Sequence, residues 1–511
     1  MPRTRRLLRE DITYSAAKER EVNILHRLKY YDQQTCFFNQ LDDNRDWIKS
    51  VVACHLGLGA RSLNLLRVGE VEDWLHGSFN VCIPVTVEDR RVLLRLPLPY
   101  RNGEAFRPGN CDEKVRCEAG TYAWLRENCP DVPIPHLYGF AMSTGETFTH
   151  LEHLPLLYRC FQYIRRQLLS WLGFPVPSCY VRHRAVPNAI GTGYLVIEYI
   201  EESQGTMLSN TWSEKNQHDV KLRTNFFRDL SRILLSISRK PLPRIGSFII
   251  DNNGFLSLAN RPLSIGMVQL ENDEIPTHIS RDYTYCTTDS YVVDTLAFHD
   301  NRLQHQPNAV RNLSDTVSQM AALTGMRTVF PLFFQRDLRR GPYILHLTDL
   351  HQSNILVDED WHIKCLIDLE WACSHPIEMV VPPYWLSGKQ MDEIDPENYN
   401  ETRKEFMDIL AAEETEAANI KNIMPRLSDV MNRSWDSGTF WYTLALSNPI
   451  GLHNFFYDRI KPAFFKNSVD DFMSVMLFYW AKDGPLVAHR KVSDKEKYDI
   501  QLQQAFEDLP P

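Results

Sequence analysis

Near residue 350 three side chains have the types and the spacing that phosphoryl transfer uses. In LHLTDLHQSNILVDEDWHIKCLIDLEW (345–371), Asp349 stands five residues before Asn354, and Asp368 closes the second of two apolar runs. Those runs, 354–357 and 363–367, flank the polar turn DEDWH, so the segment reads as a β-hairpin centred near residue 361. Positions 354 and 368 are equidistant from that centre and face each other across the open end. An amide oxygen opposite a carboxylate is a hard-oxygen pair suited to Mg²⁺ held jointly with substrate phosphates. Asp349, in the loop entering the hairpin, falls at the same edge and could take the proton of an attacking hydroxyl. Taken singly, the three are a turn residue, a strand-start residue and a surface acid. Together, at matching spacing around an apolar hairpin, they favour a site.

The elements that must hold this site are legible upstream. VCIPVTV and RRVLLRLPLP form a second hairpin around Glu88-Asp89-Arg90, entered through the Gly-containing turn HGSFN (76–80). EKVRCEAGTYAWLREN (113–128) has helical periodicity, with Asp112 at the N-cap position. HLYGFAM and GYLVIEYIEESQG read as further strands. Between them LLYRCFQYIRRQLLSWLGF, carrying Arg159, Arg165 and Arg166, reads as an amphipathic helix. Such a helix can lie on a membrane, but the commoner arrangement, expected here, packs the apolar face on its own domain. Helical periodicity then dominates over 214–239, 281–304, 306–323, 400–422 and 466–482, with the block around 350 as the one later interruption by strands. The organisation expected is an N-terminal, helical extension (1–50), a nucleotide-binding lobe (51–205) with a helical insertion near 150–185, a helical lobe (206–490) and a tail (491–511).

Composition bounds the class. The 511 residues are 43% apolar and 11% aromatic, enough for a sizeable core. A net charge of −9 argues against general nucleic-acid binding, which needs surplus Lys and Arg. Eleven Cys at irregular spacing, with no CxxC, read as reduced thiols of a cytoplasmic protein rather than as a zinc or disulfide framework. No apolar run approaches the length of a membrane span, and the basic start, with Glu10 and Asp11, does not read as a secretory signal. GxxxxGK[ST], GxSxG and HExxH are absent.

The pairing of LTDLHQSN (347–354) with IDLE (367–370) resembles the H-G-D-x-x-x-x-N and I-D-[WFL]-[ED] motifs of the aminoglycoside phosphotransferase and choline kinase family. The longer run HQSNILVDEDWHI with LIDLEWA is most similar to the fungal proteins carrying this phosphotransferase domain. Two positions depart from the motif: Leu347 stands at the His, with His346 displaced by one residue, and Thr348 stands at the Gly. His351 reads as a loop residue. The resemblance implies a bilobal α+β protein-kinase-like fold, with a small antiparallel-sheet N-lobe and a larger, mainly helical C-lobe. It puts Asp349 at the catalytic-base position and Asn354 and Asp368 at the metal positions. It also puts Arg95 at the third-strand basic position, paired with Glu118 on the following helix. Gly77 and Ser78 of HGSFN would bring backbone N–H groups to the phosphates; the Gly-Leu-Gly at 57–59 is a poorer candidate. The strand end at Glu198 to Ile200 would receive the adenine.

The expected activity is transfer of phosphate from ATP, with Mg²⁺, to a hydroxyl of a small molecule. The alternative is a kinase-like pseudoenzyme kept as a binding or regulatory module, for which Leu347 and Arg95 argue. No DFG- or APE-like segment follows Asp368, against a protein kinase. The acceptor pocket is expected in the helical lobe, around IEMVVPPYWLSG (377–388). Ten Asp or Glu fall within 391–416 against Arg403 and Lys404. This reads first as a solvated face; were it to overhang the pocket, it would favour a cationic acceptor. Oligomeric state is left open.

Overall fold

Alternating β-branched and leucine residues fold Asn80–Val87 and Arg90–Pro97 into a long antiparallel pair, joined at Glu88, which turns the chain at a positive φ of 54°. The computed structural model describes residues 4–183, 186–212, 218–417, 425–464 and 471–507. Around that pair grows an antiparallel sheet in the order Leu66–Val68, Asn80–Val87, Arg90–Pro97, Tyr194–Glu198, Leu137–Ala141, Thr147–His150, Tyr180–His183, with Leu75–His76 added on Asn80–Val87. One face is covered by the Arg45–His55 helix, whose Trp47, Ile48, Val51 and Val52 are buried with Val81, Ile83, Val85 and Leu94.

The Asn110–Asn128 helix lies between this lobe and the next. Its N-cap is Gly109, with φ 92°, not Asp112; Asp112 sits inside the first turn and accepts from Ser143 N (2.8 Å) and Ser143 Oγ (2.6 Å). The helix packs on a hairpin, Ser247–Ile250 with Leu256–Asn260, so closely that a Cβ at Gly120 would collide with the Phe248 carbonyl. The block around 350 is therefore not the only strand pair in the second lobe.

That lobe is otherwise helical, through Val220–Ser238, Thr288–His305, Leu313–Phe333, Pro396–Glu416, Leu427–Ser437, Thr439–Ser447 and Phe472–Trp480. Two helices begin seven residues later than periodicity suggested, because 281–287 and 306–312 are spent on turns, bends and the capping residues Thr287 and Asn312. The expected helical stretches over 214–217, 418–422 and 466–470 lie outside the described residues. The Arg45–His55 and Gly484–Glu507 helices run through the boundaries expected at 50 and 490. The first described residues form a strand pair, Thr4–Arg6 with Asp11–Thr13. Ile12, Ala17 and Ile24 bury against Tyr498, Leu502 and Phe506, so both ends of the chain share a small core.

A kinase-like α+β architecture of two lobes results, with a β-rich lobe, a connector after Glu198 and a mainly helical lobe. The insertion reverses the expected packing. The Leu156–Trp171 helix forms, but of its residues only Gln162 is buried, while Leu157, Phe161, Ile164, Leu168 and Trp171 are exposed. Its polar side faces the protein: Arg159 Nη1 donates to Glu152 O (3.3 Å), and Arg166 donates to Pro177 O.

Candidate active site

Ile355–Val357 pairs with Ile363–Leu366, and Ile367 N donates to Asn354 O at 3.0 Å, which closes the hairpin at its open end. Tyr343–Leu347 and Ala372–Pro376 pair on the two flanks of this hairpin and fix the loops that carry Asp349 and Asp368. Asn354 is buried and donates its Nδ2 to Asp349 O (2.8 Å) and Asp349 Oδ2 (3.3 Å). Its amide oxygen is thereby the atom available to a cation. Asp349 and Asp368 wall the same small void between the two loops. Asp368 holds a positive φ of 58°, a conformation Asp tolerates better than most residues and one that concentrates at functional sites.

Arg95 binds the two lobes together. Its guanidinium lies 3.1 Å from Glu118, 2.5 Å from Asp368 and 2.6 Å from Glu370. Arg95 and Glu118 are thus paired, as the resemblance implied, and the pair is extended by groups that the motifs did not assign. Lys114, 1% exposed, lies 2.5 Å from Glu370, and Asn80 donates to the same carboxylate at 2.5 Å. Lys114 also donates to Asn80 Oδ1. Lys114 stands one helical turn before Glu118 and shares its face, a signal available in KVRCE; Glu370 lies inside the IDLE motif itself.

Burial sets the electrostatics. Desolvation, with the Glu370 and Asp368 charges adding to it, pushes the Asp349 carboxyl up to about 7, the range useful to a general base. Burial works to raise Glu370 too, but the Lys114 and Arg95 charges outweigh it and hold that carboxyl below its ordinary value. Burial also pushes Glu118 up, against the pull of Arg95. Two cations, Arg95 and Lys114, stand among four carboxylates, Glu118, Asp349, Asp368 and Glu370, an acid excess that a divalent cation would offset.

The remaining expected residues lie around this centre. Gly77 and Ser78 occupy the hairpin turn; Gly77 N donates to Asn80 O (3.0 Å) and Ser78 O accepts from Arg101 Nε (2.9 Å). They line a separate cavity of about 200 Å³ with Leu7 to Glu10 and Tyr30, and connect to the ion cluster through Asn80. Glu198 ends the strand beside that of Arg95, where Leu195 faces Arg95, and Ile200 follows in the connector. Glu198 spends its carboxylate on His136 N (3.0 Å) and does not turn it into the cleft. His346 is half-buried at 3.3 Å from His375, pushed down to about 4 by desolvation. His351 caps the turn at Gln352–Asn354 and lies 3.7 Å from Asp349.

Beneath Asp349 opens a cavity of about 350 Å³, lined by Tyr291, Phe298, Met379, Tyr384, Trp385 and Met431 among others, so the stretch 379–385 does contribute to it. The acidic stretch takes no acid to this lining. Glu405 pairs with Arg223 (3.0 Å), and Glu413 pairs with Arg232 (2.8 Å) and Arg228 (3.3 Å), on the neighbouring helix.

No family model and no curated protein matches the chain. Among solved structures it is similar to a thermostable mutant of aminoglycoside phosphotransferase APH(4)-Ia in ternary complex with ADP and hygromycin B, at 10% identity and TM-score 0.36, over 84% of this chain and 93% of that one. It is also similar to a macrolide 2'-phosphotransferase type I (14%, TM-score 0.33, 76% and 89%). A Plasmodium vivax ethanolamine kinase is similar at 12% and TM-score 0.37, over 85% and 86%. Likeness at this level bears on neither activity nor substrate; the kinase-like fold rests on the topology itself, with Arg95, Glu118, Asp368 and Glu370 joining its two lobes.

Proposed function

We propose that the chain transfers the γ-phosphoryl group of ATP, with Mg²⁺, to a hydroxyl of a small molecule. The observation that carries this reading is the convergence of Asp349, Asn354 and Asp368 at one hairpin edge above a cavity of about 350 Å³. Asp349 orients the acceptor hydroxyl and takes its proton, a role suited to a carboxyl poised near 7. Asn354 and Asp368 are the oxygen donors for the metal; when bound, it neutralises charge on the phosphates. Arg95, held in place by Glu118 and Glu370, sets the position of Asp368. The turn of Gly77 and Ser78 shields the phosphates from beside Asn80, its Gly77 N–H being spent on Asn80 O rather than on a phosphate, and the Glu198–Ile200 backbone receives the adenine. Rate enhancement would come from positioning and fixed charge rather than from covalent chemistry.

The cavity fits an acceptor with a sizeable apolar or aromatic body and one hydroxyl directed at Asp349, in preference to a polycation, because Asp349 is the one acid among the described residues that line it. Incubation with ATP, Mg²⁺ and a panel of hydroxylated compounds, both aromatic alcohols and amino alcohols, tests this. Phosphate transfer to an apolar alcohol, lost in Asp349→Asn, is expected. Transfer confined to amines would overturn the acceptor class, and transfer undiminished in Asp349→Asn would overturn the role of the base.

A further inference from the structure

The Leu156–Trp171 helix is amphipathic and mounted inside out. Leu157, Phe161, Ile164, Leu168 and Trp171 recur at three- and four-residue intervals, so they share one face. That face is turned to solvent: Leu157 is 86% exposed and Trp171 83%, and the apolar surface continues through Leu172, Phe174 and Val176. The opposite face, with Arg159, Gln162 and Arg166, holds the helix to the protein. Among the described residues nothing covers the apolar side, and so large an exposed patch marks an interaction surface.

Charge identifies what lies there. Between Glu152 and Glu198 the sequence has five Arg (159, 165, 166, 182 and 184) and no Asp or Glu, in a chain whose net charge is −9. Arg165 is exposed beside the apolar face. A second copy of the chain seated on this face would bring Arg165 against its own counterpart, whereas an anionic headgroup layer offers opposite charge on every side. Sixteen residues of helix reach about 24 Å, short of a bilayer's ~30 Å hydrocarbon core, so the helix can lie on a membrane but not cross it. Trp171, Tyr158 and Tyr163 are residue types that favour the headgroup boundary.

We propose that the insertion is a membrane-surface anchor, its Leu156–Trp171 helix lying in the interface of an anionic bilayer with the apolar face inserted. The active-site reading is not needed for this. The test is flotation of the full chain with phosphatidylcholine vesicles, with and without phosphatidylserine, for wild type, Arg165→Gln and the double variant Leu157→Gln/Trp171→Gln. Wild type should float with the anionic vesicles and far less with the neutral ones, increasingly weakly as salt is added. The double variant should lose about 100-fold in partitioning, and Arg165→Gln about fivefold. Because these side chains are exposed, both variants should melt as the wild type does; a clear fall in melting temperature would show the face to be buried and overturn the proposal. Failure of the wild type to float, or equal flotation of the double variant, would also overturn it. A wild-type dimer in sedimentation velocity that the double variant dissociates, without vesicle binding, would assign the face to a second copy instead.

Discussion

Between the lobes, Arg95, Lys114, Glu118 and Glu370 are charged and nearly sealed from water; at the far edge of the same sheet, Leu157 and Trp171 are apolar and nearly fully in it. Each region breaks the ordinary rule of burial, in opposite directions. In the cleft the desolvation cost is offset internally, since every buried cation touches a carboxylate at 3.1 Å or less. On the insertion helix nothing among the described residues covers the exposed apolar surface. The contrast teaches that a self-satisfied anomaly marks a built site, whereas an unsatisfied one marks a missing neighbour.

This contrast can be broken by substitution. The largest effect is expected in catalysis: Asp349→Asn should lower turnover of whichever acceptor the panel identifies by about 10²–10⁴, measured by phosphate transfer at saturating ATP. Next comes Glu370→Ala, which leaves Arg95 and Lys114 with one fewer buried counter-charge. Urea unfolding should show a loss of about 3–5 kcal/mol, and a loss below 1 kcal/mol would mean that water or rearrangement satisfies the cluster. Leu157→Gln should change unfolding free energy by no more than about 0.5 kcal/mol, although it deletes a large apolar side chain, because that side chain has no partner to lose.

Another buried polar group sharpens the point. His55 lies against Thr149 Oγ1 (2.8 Å) and Tyr194 OH (3.3 Å), and desolvation pushes it down to about 3. Its folded-state pKa lies below the unfolded value near 6.5, so only the unfolded chain takes up this proton as pH falls from 6.5 toward 3. Its contribution is therefore fully present above pH 6.5 and is lost as acid is added, by about 2 kcal/mol at pH 5. Unfolding free energies at pH 7.5 and 5 should differ less in His55→Gln than in wild type by about that amount; an equal difference would remove the histidine from the account.

Much of the cleft was legible in the chain. The hairpin through 355–366 follows from periodicity, a local property, but a bulge between Leu356 and Val357 sets Asn354 opposite Ile367 instead of the expected Asp368. The pairing of Arg95 with Glu118 came from the family resemblance. Lys114 and Glu370 were written in the sequence too, but their partnership joins residues 256 positions apart, and no local pattern encodes it. The Ser247–Asn260 hairpin had its signal in Asp-Asn-Asn-Gly (251–254), overridden by the helical run around it. The insertion helix was legible as a helix and as amphipathic. Which face points inward was not, because periodicity fixes that there are two faces while tertiary packing chooses between them.

The central claim is that Asp368 and Asn354 form a metal-dependent nucleotide site. Calorimetric titration of ATP into the wild-type protein, with and without Mg²⁺, and into Asp368→Ala, tests it before any acceptor is known. The account predicts binding that requires Mg²⁺ and disappears in Asp368→Ala. ATP binding of equal strength in the variant, or none in the wild type with Mg²⁺ present, would contradict it; the latter result would leave a kinase-like fold that serves as a binding module.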